Sequence, residues 1–433
     1  MKKIIILIIV LIVLAGCNNE NNGEEETVQE KLTGEWNGSI EIPNQPLPII
    51  IEFEHENELT GTISIPVQEL HNYPLSTIDL KENNELLFMM EMQGDYITFD
   101  GEVEGETISG TFKQHGQTFP FQLNKGETIV ADGEEEGDFL QVETGQGTLY
   151  GELETPEGDG TFPVVIIIPG SGPTDRDGNS PGFPGENDSL KLLAEGLADN
   201  GIASLRYDKR GAGKNVQALV AEEEMRFDQF VADAVSWVEL LNEDDAYTNV
   251  GIIGHSQGSL TGMLASQDSE VDAFVSIAGA GNSIDEVLYN QLSEELTGEL
   301  LEESEHILEQ WKDGNEVENV SQELHSVFRP SVQAFTSSWM QYDPAEEVGM
   351  VEIPTLIVNG DNDLQVSARE AERLSEAKPD ADFLLIEGMN HILKEAPEDR
   401  EGNLETYSDP NLPLAEGLIG GLIEFLHDNN FVE

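Results

Sequence analysis

Two hydrophobic patterns divide the chain. Between residues 32 and 125, apolar and polar positions alternate in short runs at 35–42, 49–54, 61–65, 86–91, 96–103, 107–113 and 118–123. Turn sequences such as Glu104-Gly105-Glu106 and Gln114-His115-Gly116 separate them. Short strands at regular spacing with no helical period predict an antiparallel barrel or sandwich. From residue 138 the pattern changes. Two strands at 139–143 and 148–154 precede Val164-Val165-Ile166-Ile167-Ile168, apolar at every position like a parallel strand buried on both faces. Helical runs at 190–200, 227–241, 257–266, 367–377 and 414–427 then alternate with strand runs at 202–206, 249–253, 271–277, 354–358 and 382–386. That alternation predicts an α/β fold: a mainly parallel sheet with helices on both faces, whose ligands bind beyond the C-terminal strand ends. Residues 282–348 interrupt the alternation with helical spacing over 284–296, 301–312 and 320–340. They are expected to form a helical cap, with Trp311, Phe328, Phe335 and Trp339 as its core rather than as pocket wall.

The first residues are of another kind. Met1-Lys2-Lys3 is followed by an aliphatic run from Ile4 to Ala15, the length of a signal peptide's apolar segment and short for a membrane span. It ends Leu14-Ala15-Gly16-Cys17, which resembles a bacterial lipobox, and Cys17 is the only cysteine in the chain. A lone cysteine cannot form an internal disulfide, so lipidation of Cys17 and tethering outside the cytoplasmic membrane is the expectation. Residues 18–30 read as a flexible polar linker, 31–126 as the β domain, 127–137 as a second linker and 138–433 as the α/β domain.

Charge narrows the function. Of 433 residues 86 are acidic and 20 basic, a formal net charge of −66. Such a surface repels nucleic acid and anionic lipid headgroups, so neither is expected as a partner. Acid this evenly spread suits high salt or alkaline surroundings.

The chemistry centres on NVGIIGHSQGSL at residues 249–260. A buried strand runs into Gly254-His255-Ser256-Gln257-Gly258, and a helix follows. This G-x-S-x-G in a strand–turn–helix setting is what a nucleophile elbow requires. Ser256 is the candidate nucleophile. It stands at the helix N-terminus, where an oxyanion is stabilised, and the backbone N–H of Gln257 is a candidate oxyanion donor. Asp208-Lys209-Arg210-Gly211-Ala212-Gly213-Lys214 is no phosphate loop, because Asn215 replaces the Ser/Thr and Asp208 the first glycine. Arg210 is expected to anchor that segment. Asp175, Asp177 and Asp188 lack calcium-loop spacing, so no metal is expected, and no motif calls for a cofactor.

Three segments in this order, Pro169-Gly170-Ser171-Gly172-Pro173, then Arg206 to Lys214, then Gly254 to Gly258, resemble the α/β-hydrolase superfamily. The likeness is to bacterial esterases and serine-aminopeptidase-like hydrolases, and it covers residues 139 onward. Gly34-Glu35-Trp36 and Ile108-Ser109-Gly110 in the front domain resemble strands of calycin-like barrels. The superfamily's chain order of Ser, acid, His implies the remaining groups. In Asn359-Gly360-Asp361-Asn362-Asp363 its pattern selects Asp363, with Asp361 as the neighbour suited to a turn. Glu387-Gly388-Met389-Asn390-His391 resembles the loop that carries the base, so His391 is the implied base. The second oxyanion donor falls on the N–H of Ser171, with Gly172 as alternative, although Pro169 stands where the family often has His. His255 is expected to pack beside Ser256. These residues imply serine hydrolysis of short or modest acyl esters; a peptidase, or a silent lipid-anchored binding protein, are the other readings.

Overall fold

The computed structural model describes residues 32–432, apart from 42–46, 56–58, 66–69, 82–83, 93–94, 115–116, 127–137, 159 and 181–184. Cys17 and both proposed linkers lie outside the described residues.

The front region is one antiparallel sheet. Its strands are β1 (Gly34–Ile40), β2 (Leu47–His55), β3 (Leu59–Ile65), β4 (Leu70–Pro74), β5 (Thr77–Leu80), β6 (Glu85–Met92), β7 (Asp95–Glu104), β8 (Thr107–Gln114) and β9 (Gln117–Lys125). They are ordered β4-β3-β2-β1-β9-β8-β7-β6-β5. The two end strands are joined only by Leu75 and Ser76, a link that reaches about 10 Å. The sheet must therefore curl until its ends meet. Leu75 N–H donates to Gly61 O of β3 at 2.9 Å, and Ser76 N–H to Met89 O of β6 at 2.7 Å. The interior is filled by Trp36, Phe53, Phe88, Phe99 and Phe121, with the Phe88 and Phe99 rings stacked at 4.6 Å. The residue pattern missed β4 and β5, which have only five and four residues.

The second region has an eight-stranded sheet: β10 (Asp138–Thr144), β11 (Gly147–Glu154), β12 (Phe162–Ile168), β13 (Ala203–Tyr207), β14 (Tyr247–His255), β15 (Ala273–Ile277), β16 (Thr355–Gly360) and β17 (Asp382–Ile386). The order is β10-β11-β13-β12-β14-β15-β16-β17. The pairs β10–β11 and β11–β13 are antiparallel and every later pair is parallel. Strand β12 shows why its sequence is apolar throughout. Val164, Ile166 and Ile168 enter a core with Phe227 and Trp237, while Val165 and Ile167 enter the opposite core with Leu193 and Leu422. Each fully buried aliphatic contributes about 1.5–3 kcal/mol.

The cap departs from expectation. Helices Ile284–Glu295 and Glu299–Lys312 form as predicted, but the run 320–340 is broken into short helical pieces. Pro330 is the cause: Arg329 before it is extended (φ −54°, ψ 142°), because proline excludes the helical region from its predecessor. Among the described residues no helix is long and apolar enough to cross a membrane.

The elbow is fixed by close backbone contact. A β-carbon on Gly254 would lie 2.2 Å from Gly258 O, and one on Gly258 would lie 2.3 Å from Ile168 O and 2.7 Å from Pro169 O. Neither glycine has a positive φ; both are required for proximity. Gly258→Ala is expected to lower unfolding free energy in urea by about 3 kcal/mol. Gly420→Ala, whose β-carbon meets nothing within 4 Å in helix Leu418–Asp428, should be neutral or stabilising by up to about 1 kcal/mol.

Candidate active site

Strand β14 ends at His255, and helix Gln257–Asp268 begins two residues on. Ser256 between them holds φ 54° and ψ −120°, a strained conformation for a non-glycine residue. The strain is held by Ser256 N–H donating to Ile277 O at 2.9 Å and by Ser259 N–H donating to Ser256 O at 2.9 Å. The turn leaves Ser256 partly exposed while Gly254, His255, Gln257 and Gly258 are buried.

Asp363 follows β16 and His391 follows β17, so parallel neighbours deliver both loops to the same sheet end. His391 Nδ1 lies 2.8 Å from Asp363 Oδ2. The other carboxylate oxygen accepts from Gln365 N–H at 2.7 Å and Val366 N–H at 2.9 Å, so the loop aims the carboxylate. The Asp363 side chain is fully buried and that of His391 is 7% exposed. In the tautomer that directs Nδ1–H at the carboxylate, a neutral imidazole carries its lone pair on Nε2. Asp361 has the other role: its Oδ1 accepts from Gly388 N–H at 2.7 Å and ties the acid loop to the histidine loop. Gly360 makes their crossing possible, since a β-carbon there would sit 1.9 Å from Met389 O.

His255 closes the group. Its Nε2 donates to the carbonyl of His391 at 2.8 Å, and the two rings lie 4.9 Å apart. Burial, then the neighbouring His391, hold its pKa down at about 4, so it stays neutral near pH 7 and holds the His391 loop. Among the described residues Ser256 Oγ has no hydrogen-bond partner; such contacts are commonly loose before substrate binds.

On the opposite side, a β-carbon built on Gly170 would lie 3.3 Å from Ser256 Cβ. The loop after β12 thus faces the elbow. Among the described residues the backbone N–H groups of Ser171, Gly172 and Gln257 have no acceptor. A cavity of about 100 Å³ opens beside them, lined by Gly172, Gln257, Lys209 and the apolar side chains of Phe230, Val332 and Phe335. The cap aromatics therefore divide: Trp311 and Phe328 pack within the cap, and Phe335 reaches the cavity. Arg329 pairs with Glu222 at the cavity rim. Arg210 anchors its loop as expected, through Asp233 and the carbonyls of Gln146 and Ala218. Lys209, one residue earlier, was not singled out by sequence reasoning. Its signal was a cation inside a Gly-containing loop that lacks the phosphate-loop pattern. Among the described residues no three His, Cys, Asp or Glu are grouped to hold a metal ion.

A family model described as Serine aminopeptidase, S33 matches residues 181–397, half of the chain. Esterase EstD of Thermotoga maritima is 28% identical over 280 residues, covering 63% of this chain. The match spans 64% of that esterase, less than two thirds of its length. Solved structures with a similar fold include Est1E from Butyrivibrio proteoclasticus, at 20% identity and TM-score 0.45 over 68% of this chain and 99% of that one. The esterase domain from a Rhodothermus marinus protein matches at 14% identity and TM-score 0.42, over 67% of this chain and 98% of that one.

The lowered pKa of His255 has a consequence for stability. Free histidine, at 6.5, binds a proton between pH 6.5 and about 4 that the folded chain does not. Stability therefore falls as pH drops through that window, by up to about 3 kcal/mol from this residue. Unfolding free energies measured at pH 7 and pH 4.5 should differ less in His255→Gln than in wild type. Equal differences would refute the assignment.

Proposed function

Because the chain belongs to the Serine aminopeptidase S33 family of α/β hydrolases, we propose that it hydrolyses carboxylic esters with short acyl chains through Ser256, His391 and Asp363. The observation that carries this reading is the buried Asp363–His391 pair, whose imidazole lies 4.9 Å from the ring of His255, the residue before an elbow serine of positive φ. In the proposed reaction His391 Nε2 takes the Ser256 proton as Oγ attacks the acyl carbon. The carbonyl oxygen becomes an oxyanion and is received by the N–H groups of Gln257 and Ser171. Collapse breaks the bond to the alcohol, which leaves with the proton from His391. Water, deprotonated by the same imidazole, then releases the acid and restores Ser256.

The cavity, about 100 Å³ and walled by Phe230, Val332 and Phe335, supports a small acyl group. Glu222, the carboxylate on its wall, is engaged by Arg329, which favours an ester over a substrate whose free α-amine would need that carboxylate. Nitrophenyl acetate and butyrate should be turned over with kcat/KM at least about tenfold above nitrophenyl palmitate and above an aminoacyl nitroanilide. Ser256→Ala should lower kcat by at least about 10³-fold. Hydrolysis of none of these by wild type would leave the silent binding protein as the reading.

We further propose that Cys17 carries the lipid that holds the protein outside the cytoplasmic membrane. The support is the residue pattern around it. Labelled palmitate should enter the wild-type chain and not Cys17→Ala; equal incorporation into both would reject the anchor.

A further inference from the structure

Lys209 stands where no function has been assigned to it. It follows Asp208 at the end of β13, in the loop that Arg210 holds down, and is only 6% exposed. Its Nζ donates to Gly170 O at 3.0 Å and to Gln257 Oε1 at 2.6 Å. The face of Phe230 covers it, with Nζ 4.3 Å from the ring centroid. An ammonium has three N–H donors and no acceptor, so it can hold two oxygens at once.

The identity of those two partners matters. Gly170 O belongs to the peptide unit whose other end is the N–H of Ser171. The peptide is planar and trans, so fixing its oxygen on one side fixes the direction of that N–H on the other. A cation on the oxygen also draws electron density through the amide and strengthens the N–H as a donor. Gln257 supplies the second N–H, and its side chain is tied to the same ammonium. One buried cation therefore spans the two loops that carry the two expected oxyanion donors.

We propose that Lys209 is a positioning residue for the oxyanion site: it sets the spacing and direction of the Ser171 and Gln257 N–H groups and adds positive charge behind them. This rests on the reading of Ser256 as nucleophile. It also selects Ser171 over Gly172, because the Gly170–Ser171 peptide is the one the ammonium grips. Preorganised donors aimed at the oxyanion lower the barrier without strengthening ground-state binding. The effect of Lys209 belongs in kcat and not in KM.

The test compares wild type with Lys209→Met, Lys209→Arg, Gln257→Met and Ser256→Ala on nitrophenyl butyrate, each first checked for a cooperative thermal melt. In Lys209→Met kcat should fall about 10- to 100-fold, below the 10²–10³-fold typical of deleting a donor, because the N–H groups remain. KM should stay within about threefold. The inhibition constant of a trifluoromethyl ketone, whose adduct carries the oxyanion, should rise by the same factor as kcat/KM falls. Lys209→Arg should recover part of kcat, and Gln257→Met, which cuts one tie, should lose about 3- to 10-fold. A Lys209→Met enzyme with wild-type kcat, a loss confined to KM, or a loss confined to esters with anionic acyl groups overturns the proposal. If Lys209→Met does not fold, wild-type kcat in Gln257→Met overturns it equally. Full activity in Ser256→Ala, or none in wild type, would show that the nucleophile reading itself had failed and would overturn this proposal with it.

Discussion

The loops that carry Ser256, Asp363 and His391 exist because backbone meets backbone at places where no side chain fits. Gly258 lets the helix behind Ser256 press onto Ile168 O and Pro169 O, and Gly254 lets the strand before it pass under the same helix. Gly360 does the same for the acid and histidine loops, which cross at Met389. A methyl group at any of these points would enter another chain segment's van der Waals radius. The unusual φ of Ser256 is sustained by this crowding, since a residue strained alone in solution relaxes. Everything downstream, from the buried Asp363 carboxylate to the cavity beside Gln257, inherits its position from these contacts.

The layout of the hydrolase region was readable from residues. The strand β12 could be read because burial on both faces demands an unbroken apolar run, and Ser256 because the elbow demands small neighbours. His391 and Asp363 were implied by the resemblance, through its chain order and loop patterns, and the fold brings their side chains within 2.8 Å of each other. Less was legible elsewhere. Helical spacing over 320–340 concealed the break at Pro330, where a local steric rule overrides periodicity. β4 and β5 carry too few residues to show alternation. Lys209 escaped notice because its meaning depends on Gly170 and Gln257, remote in sequence and brought to it only by the fold. Choosing between Asp361 and Asp363 needed the family's pattern; the structure gives each its own hydrogen-bond partner, Gly388 N–H for the first and the His391 ring for the second.

Against 86 acidic residues, the 20 basic ones are scarce, and several are indoors. Arg206, Lys209, Arg210, Lys378 and Lys394 are all nearly inaccessible. Arg210 grips Asp233 and two carbonyls, Lys378 holds Val351 O at 2.8 Å, and Lys394 holds Asp409 O at 2.7 Å. These cations act as rivets between loops, satisfying carbonyls that irregular backbone would otherwise leave bare. The outer surface is left strongly anionic, which suits a hydrated shell more than contact with another polyanion.

The order of the front sheet carries one more consequence. Its first and last strands, β1 and β9, lie side by side, with Trp36 opposite Lys125, and Gly126 N–H donates to Glu35 O at 2.9 Å. The polypeptide leaves this module where it came in. Some ninety residues of folded mass therefore lie between an entry and an exit that are hydrogen-bonded neighbours.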